Sequence, residues 1–79
     1  MKKVITSNEA LRIAIRYASL ENVSPSCEKI LNCDGLYEIL LRTLLMRYEF
    51  YVDAATGEVL GFNNEPEVDA QVAYGRLSA

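Results

Sequence analysis

The chain has no histidine, only two cysteines and two prolines, and four glycines in 79 residues. Each scarcity closes off a class of chemistry. Without histidine, proton exchange near neutral pH falls to Asp, Glu, Tyr and Lys, and nucleophilic attack to two cysteines; no sequence pattern clusters any of these groups. Zinc normally takes four ligands, which two cysteines do not supply. The glycines are scattered, so no loop of the phosphate-cradling kind is present. No apolar run approaches the roughly 20 residues of a membrane-spanning helix. The expectation is a protein without catalytic residues, metal or cofactor.

What is present is ordinary for a folded globule: 51% hydrophobic and 24% charged residues, enough for one small core and one domain spanning 1–79. A net charge of -3 disfavours nucleic acid, whose phosphates call for a basic face. The opening "MKKVITSNEA" carries two lysines with no apolar segment behind them, so no signal peptide is expected within it. The compartment is then cytoplasmic, or extracytoplasmic if a leader has been removed. Cys27 and Cys33 would lie about 20 Å apart in extended chain, which forbids a bond between them. They read as two small half-buried apolar residues.

In "ITSNEALRIAIRYASLEN", Thr6 and Glu9 have the spacing of a capping box, which predicts a helix from Ser7 to Leu20. Leu11, Ala14, Ile15 and Ala18, widened by Tyr17 and Leu20, form its apolar stripe; Glu9, Arg12, Arg16 and Ser19 lie opposite. Pro25 then stops any helix.

A strand from Ser26 to Cys33 leads into Asp34-Gly35, a pair suited to the positive φ angles of a type I′ hairpin turn. That turn would set Cys33 opposite Leu36, Ile30 opposite Ile39 and Glu28 opposite Leu41. "LYEILLRTLLMRYEF" fits a helix by propensity. A reversal at Leu44-Leu45, however, sets Leu41 against Tyr48, Ile39 against Phe50 and Tyr37 against Val52, three apolar pairs on one face, and the strand reading prevails. In the turn after Val52, Asp53 can accept amides, Thr56 can add its hydroxyl and Gly57 can supply the left-handed residue. A four-residue loop pairs Val52 with Val59, whereas a bulge at Gly57 would instead bury Leu60 and Phe62. Beyond it, Pro66 is placed to begin a short final helix containing Val68 and Val72. The fold class is therefore α+β: an N-terminal amphipathic helix packed on a twisted antiparallel sheet of three to four strands.

The stretches "ITSNEALRIAIRYA" and "YEFYVDAATGEVLGF", in this order, resemble the PepSY domain found in peptidase propeptides. The resemblance covers about residues 5–63. It implies a helix across an antiparallel sheet and a non-catalytic module that inhibits or regulates a peptidase or another envelope partner. It brings no catalytic residue with it.

The candidate partner-binding residues are Leu40, Leu44, Leu45, Met46 and Tyr51, while Asp34, Gly35, Asp53, Thr56 and Gly57 are structural turn residues. Leu36, Leu40 and Tyr51 would form an apolar strip on the outer sheet face, joined by Leu60 and Phe62 in the unbulged register. At "TLLM", where a hairpin calls for glycine or asparagine, Leu44, Leu45 and Met46 would each forgo roughly 1.5–3 kcal/mol if left exposed. Three arrangements answer this: a tip folded back on the helix, an arm exchanged between chains, or a docking knob. The stiff, glycine-free connection favours a chain-exchanged or tip-mediated homodimer, the alternative to a regulatory binding module. Glu38 and Glu49, with Lys29, Arg42 and Arg47 nearby, read as a solvated charge lattice.

Overall fold

The computed structural model describes residues 4–67. One helix, α1 (Ser7–Tyr17), precedes four strands: β1 (Ser26–Cys33), β2 (Leu36–Arg42), β3 (Met46–Asp53) and β4 (Val59–Pro66). The strands form one antiparallel sheet in the order β1-β2-β3-β4, each paired with its sequence neighbours. The expected α+β class, with a helix on an antiparallel sheet, is what the chain adopts.

The capping box forms in full. The Glu9 amide donates to Thr6 Oγ1 at 3.1 Å, and the Thr6 amide donates to Glu9 Oε1 at 2.9 Å. The helix ends at Tyr17, three residues before the expected limit. Ser19 takes φ 57°, its amide donates to the Arg16 carbonyl at 3.1 Å, and the Leu20 amide donates to the Ile15 carbonyl at 2.8 Å. This is a Schellman reversal with serine where glycine is usual, and it folds Leu20 back into the core. The contact face is also rotated from the expected stripe: Ala10 and Ala14 are wholly buried, Leu11, Ile13 and Ile15 flank them, and Tyr17 is largely exposed. Two alanines let the helix backbone come close to the sheet, so the longer side chains reach down on either side.

The β1–β2 turn has positive φ at Asp34 (53°) and Gly35 (82°), the type I′ signature, and Cys33 faces Leu36 while Ile30 faces Ile39. The expected pairing of Glu28 with Leu41 is displaced: a bulge between Cys27 and Lys29 puts Cys27 opposite Leu41. Both cysteines are free and exposed, contrary to the half-buried state expected of them, because β1 is an edge strand. The second hairpin keeps the expected register, Leu41 opposite Tyr48, Ile39 opposite Phe50 and Tyr37 opposite Val52. Tyr37, Ile39, Leu41, Phe50 and Val52 are accordingly buried beneath the helix, with Ile30 and Tyr48 half-buried beside them.

At the third turn both sequence alternatives are realised in part. Val52 pairs with Val59, but a bulge follows at Leu60, not at Gly57, so Gly61 faces Tyr51 and Phe62 faces Phe50. Val59 and Phe62 both join the inner face, and Leu60, the extra residue, is exposed. Pro66 does not begin a helix; it closes β4 opposite Met46, tolerable on an edge strand that need not donate outward. The final helix expected around Val68 and Val72 lies outside the described residues.

Candidate functional site

The two ends of the sheet are tied differently, one by the leading segment and the turns, the other by the Glu67 amide, which donates to the Leu45 carbonyl at 2.8 Å. At one end the chain crosses itself repeatedly: the Ile5 amide donates to the Ala54 carbonyl at 2.8 Å, the Ala54 amide donates to the Gly35 carbonyl at 2.8 Å, and the Tyr37 hydroxyl donates to the Ile5 carbonyl at 2.9 Å. The turn residues belong to this anchored end. Asp53 Oδ1 accepts the Ala55 amide at 2.7 Å, the Asp53 carbonyl accepts the Gly57 amide at 2.7 Å, and Thr56 Oγ1 accepts the Glu58 amide at 3.1 Å. Gly57 has φ 79°, and a Cβ there would stand 3.0 Å from Ile13 Cδ1, so it serves both the turn and the close pass of the helix. At the first turn the Gly35 amide donates to Asn32 Oδ1 at 3.2 Å.

The other end carries the β2–β3 tip. Arg42 and Arg47 face one another, the Thr43 amide donates to the Met46 carbonyl at 2.9 Å, and the Met46 amide donates to Thr43 Oγ1 at 3.1 Å. The hairpin thus closes within one chain. Neither Leu44 nor Leu45 has positive φ. The threonine side chain takes the Met46 amide that a tight turn would ordinarily give to a carbonyl, which removes the need for glycine or asparagine. Leu44 is 87% and Leu45 45% exposed, while Met46 is half-buried. The tip does not fold back on the helix.

The remaining partner-binding candidates, Leu40 and Tyr51, lie half-buried on the outer face with Leu36, apart from the tip. Tyr51 crosses Gly61, where a Cβ would meet its ring at 3.0 Å. Its phenol is pushed above its ordinary pKa by burial first, then by the carboxylates of Glu49 and Glu38, against a smaller opposing pull from Lys29. Beside it Lys29 pairs with Glu38 at 3.2 Å; toward the tip Arg42 pairs with Glu67 at 3.0 Å and Glu28 at 3.6 Å, and Arg47 with Glu65 at 3.8 Å. Of the charge lattice anticipated for this face the Lys29–Glu38 pair forms as expected, whereas Arg42 and Arg47 turn to Glu28, Glu67 and Glu65. Leu31, facing Glu38 from β1, extends the strip, whereas Phe62 does not join it.

Sequence reasoning missed an aromatic row on the inner side. Tyr17 meets Phe62 edge-on at 5.3 Å between ring centres, Phe62 lies 5.2 Å from Phe50, and Tyr48 stacks on both at 6.4 Å. Only the parity change at Leu60 brings Phe62 there, and no residue of the sequence marks that bulge. Tyr17 remains 56% and Phe62 40% exposed.

Among the described residues no group of three or more cysteine, aspartate or glutamate side chains is arranged to hold a metal ion, and no helix is long and apolar enough to cross a membrane. No family model, curated protein or solved structure matches this chain.

Proposed function

We propose that the chain is a non-catalytic, PepSY-like binding module that restrains or regulates a peptidase or another envelope protein by contact. The observation that carries this reading is the β2–β3 tip: two leucines presented to solvent on a turn held by Thr43, at the opposite end of the strands from the anchored turns. Fixed geometry lowers the ordering cost of docking, and apolar anchors of this size can supply much of the binding energy of a small interface. The helix and the Asp53-to-Gly57 turn, which carry the sequence resemblance, sit in the anchored scaffold that supports this presentation.

A photo-crosslinking residue placed at position 44 and activated in cells, with captured chains identified by mass spectrometry, tests the proposal. A peptidase or envelope protein captured at position 44, and lost when Leu45 is changed to Ser, supports it; capture of this chain alone points to the tip-mediated homodimer. Sedimentation distinguishes the two independently, since only self-association gives a mass that rises with concentration and falls in Leu44→Ser.

A further inference from the structure

The sheet has two edges, and they are not equally guarded. β1 carries a bulge at Cys27–Lys29 and a lysine paired across to Glu38, features that discourage a further strand. β4 keeps its bulge at Leu60 and its proline at position 66, leaving Gly61–Glu65 as a regular stretch with no lysine, proline or bulge. Its backbone groups on the side away from β3 have no strand partner among the described residues. Beside this edge runs a groove between helix and strand, lined by Ile13, Arg16, Tyr17, Gly57, Glu58 and Val59. It leads toward the exposed ring of Phe62, against which Tyr17 is packed.

We infer that the β4 edge accepts an extended segment of another protein as a fifth antiparallel strand, with alternate apolar side chains against Phe62 and Tyr17 and basic residues toward Glu58 and Glu65. An edge with free main-chain groups recognises extended backbone, and the adjoining pocket selects alternate side chains. Inward side chains of an added strand would stand about 5 Å from those of β4, which places them against the Phe62 ring. Charge decides against a second copy of this chain. β4 and its flanks contribute Glu58, Glu65 and Glu67 and no basic residue; Glu67 is taken up by Arg42 at 3.0 Å, but Glu65 is held only loosely by Arg47 at 3.8 Å and stays exposed, so pairing β4 with itself still brings Glu58 and Glu65 of two chains to one seam in a chain of net charge -3. A segment bearing lysine or arginine near its ends meets the same seam favourably; Arg16 stands apart, on the helix wall of the groove. This surface is separate from the leucine tip and does not depend on it.

The test uses the full chain labelled with nitrogen-15 and three synthetic heptapeptides. The first alternates valine and threonine between terminal lysines, the second has glutamates in place of the lysines, and the third has prolines at two adjacent central positions. The lysine peptide is expected to give saturable amide shifts confined to Gly61–Glu65, Ile13 and Tyr17, and to protect alternate β4 amides from exchange. The glutamate peptide should bind roughly three- to tenfold more weakly, the span of one or two exposed ion pairs. The proline peptide should not bind, because one of two adjacent prolines must face β4 and has no N–H to give it. Absence of shifts at millimolar lysine peptide, shifts centred on Leu44 and Leu45, undiminished binding of the proline peptide, or protection of every β4 amide in the free chain would each overturn the inference.

Discussion

The Tyr37 hydroxyl donates to the main-chain carbonyl of Ile5, 32 positions earlier, at 2.9 Å. The ring is buried in β2 while its oxygen fixes the strand-like lead-in to α1, so one side chain joins core packing to the seating of the helix. Tyr37→Phe keeps the ring and removes the bond. It is expected to lower unfolding free energy by about 1 kcal/mol in urea titration, with the first-turn amides of α1 losing exchange protection before those of the sheet.

Gly57 and Gly35 have nearly the same backbone, φ 79° and 82°, but different surroundings: a Cβ at Gly35 meets nothing within 4 Å, whereas one at Gly57 meets Ile13 Cδ1 at 3.0 Å. Alanine at either position pays about 1 kcal/mol for left-handed geometry. Gly57→Ala should cost more than Gly35→Ala by several tenths of a kcal/mol, and pairing it with Ile13→Val, which removes the crowding methyl, should recover part of that excess in a double-mutant cycle. Equal costs for the two alanines would show that the helix yields freely at this point.

Thr43→Val leaves the shape of the tip but withdraws the oxygen that accepts the Met46 amide at 3.1 Å. The expected loss is about 1 kcal/mol, with faster exchange at Met46. Leu44→Ser, at a position 87% exposed, should change stability by less than about 0.5 kcal/mol. The contrast separates the residue that builds the tip from the residue the tip displays.

Tyr51 is the group whose titration reports on the outer face. Burial, Glu49 and Glu38 all favour its neutral phenol, so its ring should ionise above the ordinary tyrosine value of about 10. Glu49→Gln removes both a charge and the carboxylate that accepts from the phenol, and should bring the midpoint down toward that value, read from the Tyr51 ring carbons by NMR. An unchanged midpoint would mean that burial and Glu38 set it without Glu49.

The middle hairpin was legible because three apolar pairs agree on one register, and Asp34-Gly35 fixes the first hairpin through the conformational preferences of its own two residues. The helix start was legible for the same local reason, the reciprocal bonds of Thr6 and Glu9. Its end was not. Ser19 adopts a left-handed conformation that serine seldom takes, held by bonds to Arg16 and Ile15 that emerge only once Leu20 is pulled into the core. The bulges beside Glu28 and at Leu60 likewise satisfy packing between elements, not a preference of the residues inserted. Each moves a parity, and the second turns Phe62 inward while leaving Val59 inward too, a combination that neither register read from the sequence contains. Of the partner candidates, Leu44 and Leu45 were recognisable as apolar residues in a turn, but the role of Thr43 was obscured by the absence of glycine.

The strand order has a kinetic consequence. Every strand pairs with its immediate neighbour in the chain, so the sheet can zip through three short reversals without a long loop closing first. The contacts that span long sequence distances are those that seat the leading segment and the helix, from Ile5 to Tyr37 and Ala54 and from Tyr17 to Phe62. Loop-closure entropy places that joining late, after β2, β3 and the turn at Ala54 exist to receive it. Nascent chain emerges in the opposite sense: the helix is made before the sheet and waits, amphipathic and uncovered, until β2 and β3 supply the surface against which Ala10 and Ala14 come to rest.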